Sequence, residues 1–319
     1  MRYDIKLRYS PLLHELDKTL AIVGVILSVL LIVYLGREIG RVVYLLTGIL
    51  ALISCLLWLE IRKSHTFEFH LQKSRTLTAL WSICFFSLFA LSILSVHFRP
   101  EIYQRPILYF ALTALMAGAI ACEILSSGRR HAGFILIQVV LLGVSIAWSQ
   151  LLIFPSLVGI DPWYHSDLTI RIVNEGLIPT GYSYSKLPLF HLMIAATSLI
   201  SGLPYKFAAM VSVSLGQIIC NALFVFLIAG HLLRYYRAGL LAALMVMIAN
   251  HQINMSYWSI PNGFAAVFIP ISLYLLFFKS GDRSHPAYAL LYILVLGTII
   301  LTHTIAVVCM AILLFVSWG

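Results

Sequence analysis

Residues 133–153 read GFILIQVVLLGVSIAWSQLLI, an apolar run with no charged side chain in it. A helix of that length rises about 30 Å, the thickness of the hydrocarbon core of a bilayer. Hydrocarbon offers no partner to backbone N–H and C=O groups, and the run lacks the period-2 alternation of a barrel strand, so it reads as a membrane helix. Similar runs recur at 19–35, 42–59, 77–97, 107–126, 207–233, 240–257, 263–278, 287–302 and 304–318. With 61% hydrophobic and 10% charged residues, and a mean hydropathy of +0.97, the chain has too little polar surface for a soluble globule. The expected fold is all-α: a polytopic transmembrane helical bundle of about ten spans.

One further run, 188–203, sits between Pro188 and the Ser201-Gly202-Leu203-Pro204 break. At about 15 residues it reaches only about 22 Å, which suits a re-entrant or interfacial segment. Counting charges supports leaving it out of the crossings. With the N-terminal tail inside, fourteen of the 21 Lys and Arg fall on the inner side and seven on the outer; if 188–203 crossed, four would change sides and the bias would largely vanish. The basic clusters at 60–76 and 128–132 then orient the chain, which is expected to be an integral, multi-pass protein of the plasma membrane with a cytoplasmic N-terminus. The tail of about 18 residues precedes an apolar run without a cleavage pattern, so it reads as leading into an uncleaved first span. The last run stops at Trp318-Gly319 with no polar tail, as in a fragment of a longer protein.

The net charge of +9 is spread through these short clusters and points to membrane topology, not to nucleic acid. Cys55, Cys84, Cys122, Cys220 and Cys309 lie singly within apolar stretches and read as small core residues. Glu123, near the inner end of its span, is expected to snorkel toward Arg129 and Arg130 and pair there, and His231 near Arg234 reads similarly.

The candidate chemistry lies in the outer loop 154–206, which opens FPSLVGIDPWYHSDLTIRIVNEGLIPTGYSYSKLP. Asp161 at an N-cap position, Pro162 in the first turn and Gly176 beyond the end predict a helix over 162–175. Tyr164, Leu168 and Ile172 form its apolar stripe, with Trp163 beside it, as in an amphipathic helix lying along the interface. Asp167, Arg171 and Glu175 follow at i, i+4, i+8 and most simply make a solvated ion-pair ladder. Asp161 and His165 are also four apart. A carboxylate beside an imidazole at the mouth of a cavity can deprotonate an alcohol or hold a divalent metal; alternatively Asp161 only caps its helix while His165 packs at the interface.

The order of a span, an outer loop carrying Asp161-Pro162-Trp163-Tyr164-His165, an amphipathic helix, and Lys186-Leu187-Pro188-Leu189-Phe190-His191 entering an apolar segment resembles the GT-C class of membrane glycosyltransferases. Asp161-Pro162 followed by Arg171 and Asn174-Glu175-Gly176 is also similar to the first-loop motif of the oligosaccharyltransferase catalytic subunit. The resemblance covers about 133–319, leaving 1–132 as an N-terminal extension of about four spans. It implies a polyprenyl-phosphate-linked sugar as donor, a membrane-lipid environment, and Asp161 in the place of the family's catalytic or metal-binding aspartate; the cofactor stays open, a divalent metal held by Asp161 and His165 being one option. The soluble domain and tryptophan-rich motif of the oligosaccharyltransferase are absent, and where a second outer acidic motif would sit the chain reads Asn250-His251-Gln252 and Trp258-Ser259-Ile260-Pro261-Asn262.

Transfer from a lipid phosphate needs a base for the acceptor hydroxyl and donors for the departing phosphate. Asp161 is the candidate base, with His165 as its catalytic neighbour. Arg171, Lys186, His191, Asn262 and His303 are the candidate substrate contacts, His303 because a polar histidine at a span junction is costly to keep there. Its plainer role is a hydrogen bond across helices. A transporter or flippase for a lipid or polar solute is the alternative function, and a non-catalytic relative that kept the fold is the third.

Overall fold

The computed structural model describes residues 11–38, 42–63, 73–279 and 286–318. The basic tail with Arg2, Lys6 and Arg8, most of the basic cluster 60–76, Arg283 and the terminal Gly319 lie outside the described residues. Every described element is helical. The chain forms two compact units, 1–70 and 71–319.

The first unit is a helical hairpin of α1 (Pro11–Glu38) and α2 (Val42–Lys63). Lipid tails are as apolar as leucine, so helices in a bilayer associate through close packing, and small residues allow it. Gly24 and Gly48 do so here: a Cβ would come within 2.6 Å of Cys55 Sγ at the first and 2.7 Å of Ile32 Cγ1 at the second.

The second unit contains α3 (Arg75–His97), α4 (Ile107–Ser126), α5 (Ala132–Ile153), α6 (Asp161–Glu175), α7 (Leu189–Ser201), α8 (Tyr205–Ala209), α9 (Leu215–Leu232), α10 (Tyr236–Met247), α11 (Asn250–Tyr257), α12 (Pro261–Tyr274), α13 (Pro286–Ile300) and α14 (Thr304–Trp318). A π-helical turn, Met210–Ser214, joins α8 to α9 in one continuous helix. The main core lies among α3, α4, α5, α9 and α10, where Phe85, Met116, Ile120, Leu142, Ile218 and Leu240 are fully buried. Gly239 lies against Gly230 and the Phe226 carbonyl, so α9 and α10 meet at their backbones.

Four described helices are long and apolar enough to cross a membrane: Arg75–His97, Ile107–Ser126, Arg129–Ile153 and Tyr205–Leu232. A fifth crossing exists if α10 and α11 count as one broken span. The run 240–257, expected as one straight span, is bent by 59° between these helices. Ala249 takes an extended conformation there, just before the polar Asn250-His251-Gln252. Helices α7, α12, α13 and α14 are shorter.

The connections gather at two ends of this unit. At one, Ser74 N–H donates to the Ser126 carbonyl, while Tyr236 Oη and Arg237 Nη2 both donate to the Ser127 carbonyl. At the other, Lys206 Nζ donates to the Phe154 carbonyl across 2.5 Å. The chain thus leaves α5 and enters α8 at the same end, with α6 and the 13-residue α7 between them. Leu189 N–H donates to the Leu301 carbonyl, which adds the α13–α14 turn to that end.

Glu123 differs from its expected placement. It is fully buried among α3, α4 and α5, shares a hydrogen bond with Ser82 Oγ at 2.7 Å, and forms no ion pair with Arg129 or Arg130. It lies on the same face of α4 as Met116, Ala119 and Ile120, which turns it inward.

Candidate functional site

Loop 154–206 folds from its glycines and helix ends. Gly159 has φ +90°, and a Cβ there would stand 2.3 Å from Trp258 Nε1, so only glycine lets the indole of the α11–α12 connection close on this turn. The contact fixes the entry to α6. Asp161 does not cap that helix: Ile160 precedes it in helical conformation, and Asp161 is the exposed first helical residue. Its carboxylate still lies where the helix dipole favours negative charge. At the far end Gly176, φ +70°, donates its N–H to the Ile172 carbonyl, the left-handed ending the sequence called for.

The buried face of α6 is Pro162, His165, Ser166, Leu168, Thr169 and Ile172. Of the expected interfacial stripe, Tyr164 and the neighbouring Trp163 are exposed, whereas Leu168 and Ile172 are buried, because α7 packs against them. His165 Nδ1 and His191 Nε2 stand 3.0 Å apart in a buried hydrogen bond. His191 is wholly inaccessible and its Nδ1 has no partner. The tautomers that leave no buried N–H orphaned have His191 Nε2–H donating to His165 Nδ1, which puts the other proton of the pair on His165 Nε2. Burial pushes His165 down to about 4, against the pull of the Asp161 carboxylate and with a smaller push from His303. Burial likewise pushes His191 down to about 3, with His165 adding to it. Both rings are neutral near pH 7.

Tyr184, in the helical turn Ser183–Lys186, closes the group. Its ring stands edge-on to His165 at 4.9 Å and to His191 at 5.5 Å, and lies 6.2 Å from His303. Burial, followed by Tyr164 and the Asp161 carboxylate, raises its phenol, which therefore keeps its proton. His303 precedes α14, and its Nδ1 accepts the Ile305 N–H at 3.3 Å; a neutral His303 then carries its proton on Nε2. Burial lowers His303 as well.

The structure therefore brings together Asp161, His165, His191 and His303, and adds Tyr184. It does not bring in the expected cations. Arg171 is exposed and its Nε donates to Asp167 Oδ2 at 3.0 Å, with its guanidinium over the Tyr182 ring. Of the expected ladder, only this Asp167–Arg171 pair forms an ion pair among the described residues. Lys186 is exposed and makes no hydrogen bond or ion pair with a described residue. Asn262 is the second residue of α12, two before Phe264, whose ring meets Phe190 at 6.0 Å; it makes no hydrogen bond to a described histidine. His191, expected to touch substrate, is spent inside the protein on His165.

The residues do not fit a divalent metal. Among the described residues no three His, Cys, Asp or Glu side chains stand together to hold an ion. His165 Nδ1 and His191 Nε2 are committed to each other, leaving Asp161 and at most one nitrogen of His165. The group offers instead one exposed carboxylate to take a proton, with neutral N–H and O–H donors beside it.

Tyr184 and the Gly159–Trp258 contact were not singled out from sequence. Tyr184 stands in the quoted GYSYSKLP stretch two residues before Lys186, and only a fold that returns α13 to α7 reveals its neighbours. Compared with known proteins, the chain matches no family model, no curated protein and no solved structure.

Proposed function

We propose that the chain is a membrane glycosyltransferase that moves a sugar from a polyprenyl-phosphate carrier to an acceptor at the non-cytoplasmic face, within a bundle of about ten crossings whose N-terminus is cytoplasmic. The observation that carries the reading is the exposed Asp161 carboxylate within electrostatic reach of both His165 and Tyr184, at the end opposite the Ser127–Arg237 contact. In the proposed step the acceptor hydroxyl gives its proton to Asp161 and its oxygen attacks the anomeric carbon. The bond from that carbon to the phosphate oxygen breaks, and the phosphate leaves with the electron pair. Neutral N–H donors on His165 and His303 and the Tyr184 hydroxyl stabilise the leaving oxygens without needing a cation.

The test is sugar transfer from labelled polyprenyl-phosphate sugars in proteoliposomes. Asp161→Asn should lose at least about a hundredfold in rate, the range for a general base, while inserting normally. Wild-type rate in this variant would sink the assignment.

The broken pair α10–α11 and the π-helical turn beside buried Gln217 favour a second reading, transport of a lipid or polar solute, because interrupted helices are the usual sites of membrane carriers. Solute flux in the same proteoliposomes that survives Asp161→Asn would favour it.

A further inference from the structure

Glu123 takes no part in that reaction, and its hydrogen bonds do not close for an ionised carboxylate. Ser82 Oγ stands 2.7 Å from Glu123 Oε1 and 3.0 Å from the Thr78 carbonyl, yet a serine has one hydrogen to give. Glu123 Oε2 is buried without a hydrogen-bond partner. Beside the carboxyl lie Gln138 of α5, wholly buried, whose amide approaches the carboxyl outside hydrogen-bond geometry, and His131, whose buried Nδ1 is unpartnered and whose charge, when it is protonated, favours an ionised Glu123. The nearby charges are engaged elsewhere or stand off: Arg237 of α10 is spent on the Ser127 carbonyl and the Tyr235 and Tyr236 hydroxyls, Lys73 lies beside Gly128, and Arg129 and Arg130 are exposed. No described residue forms an ion pair with Glu123.

We propose that Glu123 is a proton-binding site within the bundle. A proton on Oε1 donates to Ser82 Oγ, and the serine hydrogen then goes to the Thr78 carbonyl, so one proton completes the whole chain of donors and acceptors. Oε2 becomes a neutral carbonyl oxygen facing the Gln138 amide. The unprotonated form would leave a charge in a low-dielectric interior with only the half-buried His131 near enough to offset it, the arrangement that membrane spans avoid. His131, half-buried in the turn Arg129–His131, is the group that links this site to the aqueous end of the bundle. The proposal stands apart from the transferase reading.

Infrared difference spectra of wild type and Glu123→Gln in nanodiscs at pH 7 test it. The variant should lose one protonated-carboxyl C=O stretch that shifts in D2O; loss of carboxylate bands instead overturns the proposal. Should the variant fail to fold, the wild-type protein is treated with a hydrophobic carbodiimide, which adds to protonated carboxyls, and mapped by mass spectrometry. An adduct on Glu123 is the expected result, and an unmodified Glu123 overturns the proposal.

Discussion

His165 and His191 exchange a single hydrogen bond in a place where neither ring can reach much water, and that fixes how each behaves in acid. An unfolded chain protonates its histidines near 6.5, whereas the folded pair resists until about 4 and about 3. The unfolded state therefore binds more protons below 6.5, and stability, fully present above that value, falls as the pH drops toward 3. We expect the melting temperature in detergent to decline across this window, with a shallower decline in His191→Phe. At pH 7 that substitution should cost about 1–3 kcal/mol, the penalty for leaving His165 Nδ1 unpartnered. Asp161→Asn, at an exposed position, should change stability by less than about 0.5 kcal/mol. From sequence, the Asp161 and His165 spacing was legible because it is local. The His165–His191 contact was not, since it depends on how α6 and α7 cross. Glu123 was misplaced for a similar reason: proximity to Arg129 and Arg130 in the chain says nothing about which face of α4 packs inward.

Helix α6 was legible almost to the residue because Pro162 and Gly176 bound it by backbone chemistry. Its buried face was set by α7, which periodicity within α6 alone does not reveal. The turn before it depends on Gly159, where both φ +90° and Trp258 exclude a side chain. Gly159→Ala should cost at least about 1–3 kcal/mol, and should change the fluorescence of Trp258 if the indole is displaced. The 59° break between α10 and α11 was hidden in a run that hydropathy reads as continuous, because mean apolarity carries no information about direction.

Across the second unit, two ends are defined by contacts between distant residues: Ser127 with Arg237 at one, Phe154 with Lys206 and Leu189 with Leu301 at the other. The helical class followed from composition, and the grouping of loop 154–206 with the His303 turn followed from counting crossings. The number of crossings did not follow as firmly, since several apolar runs form helices shorter than a bilayer is thick. The proposed reaction requires the Asp161 end to face away from the cytoplasm. Single cysteines replacing Lys186, Ser201 and Arg130, all exposed, can be tested with a membrane-impermeant thiol reagent on intact cells, in a background lacking the five native cysteines. We expect Lys186→Cys and Ser201→Cys to react from outside and Arg130→Cys only after permeabilisation; labelling of Lys186→Cys only in permeabilised cells would contradict the proposed site.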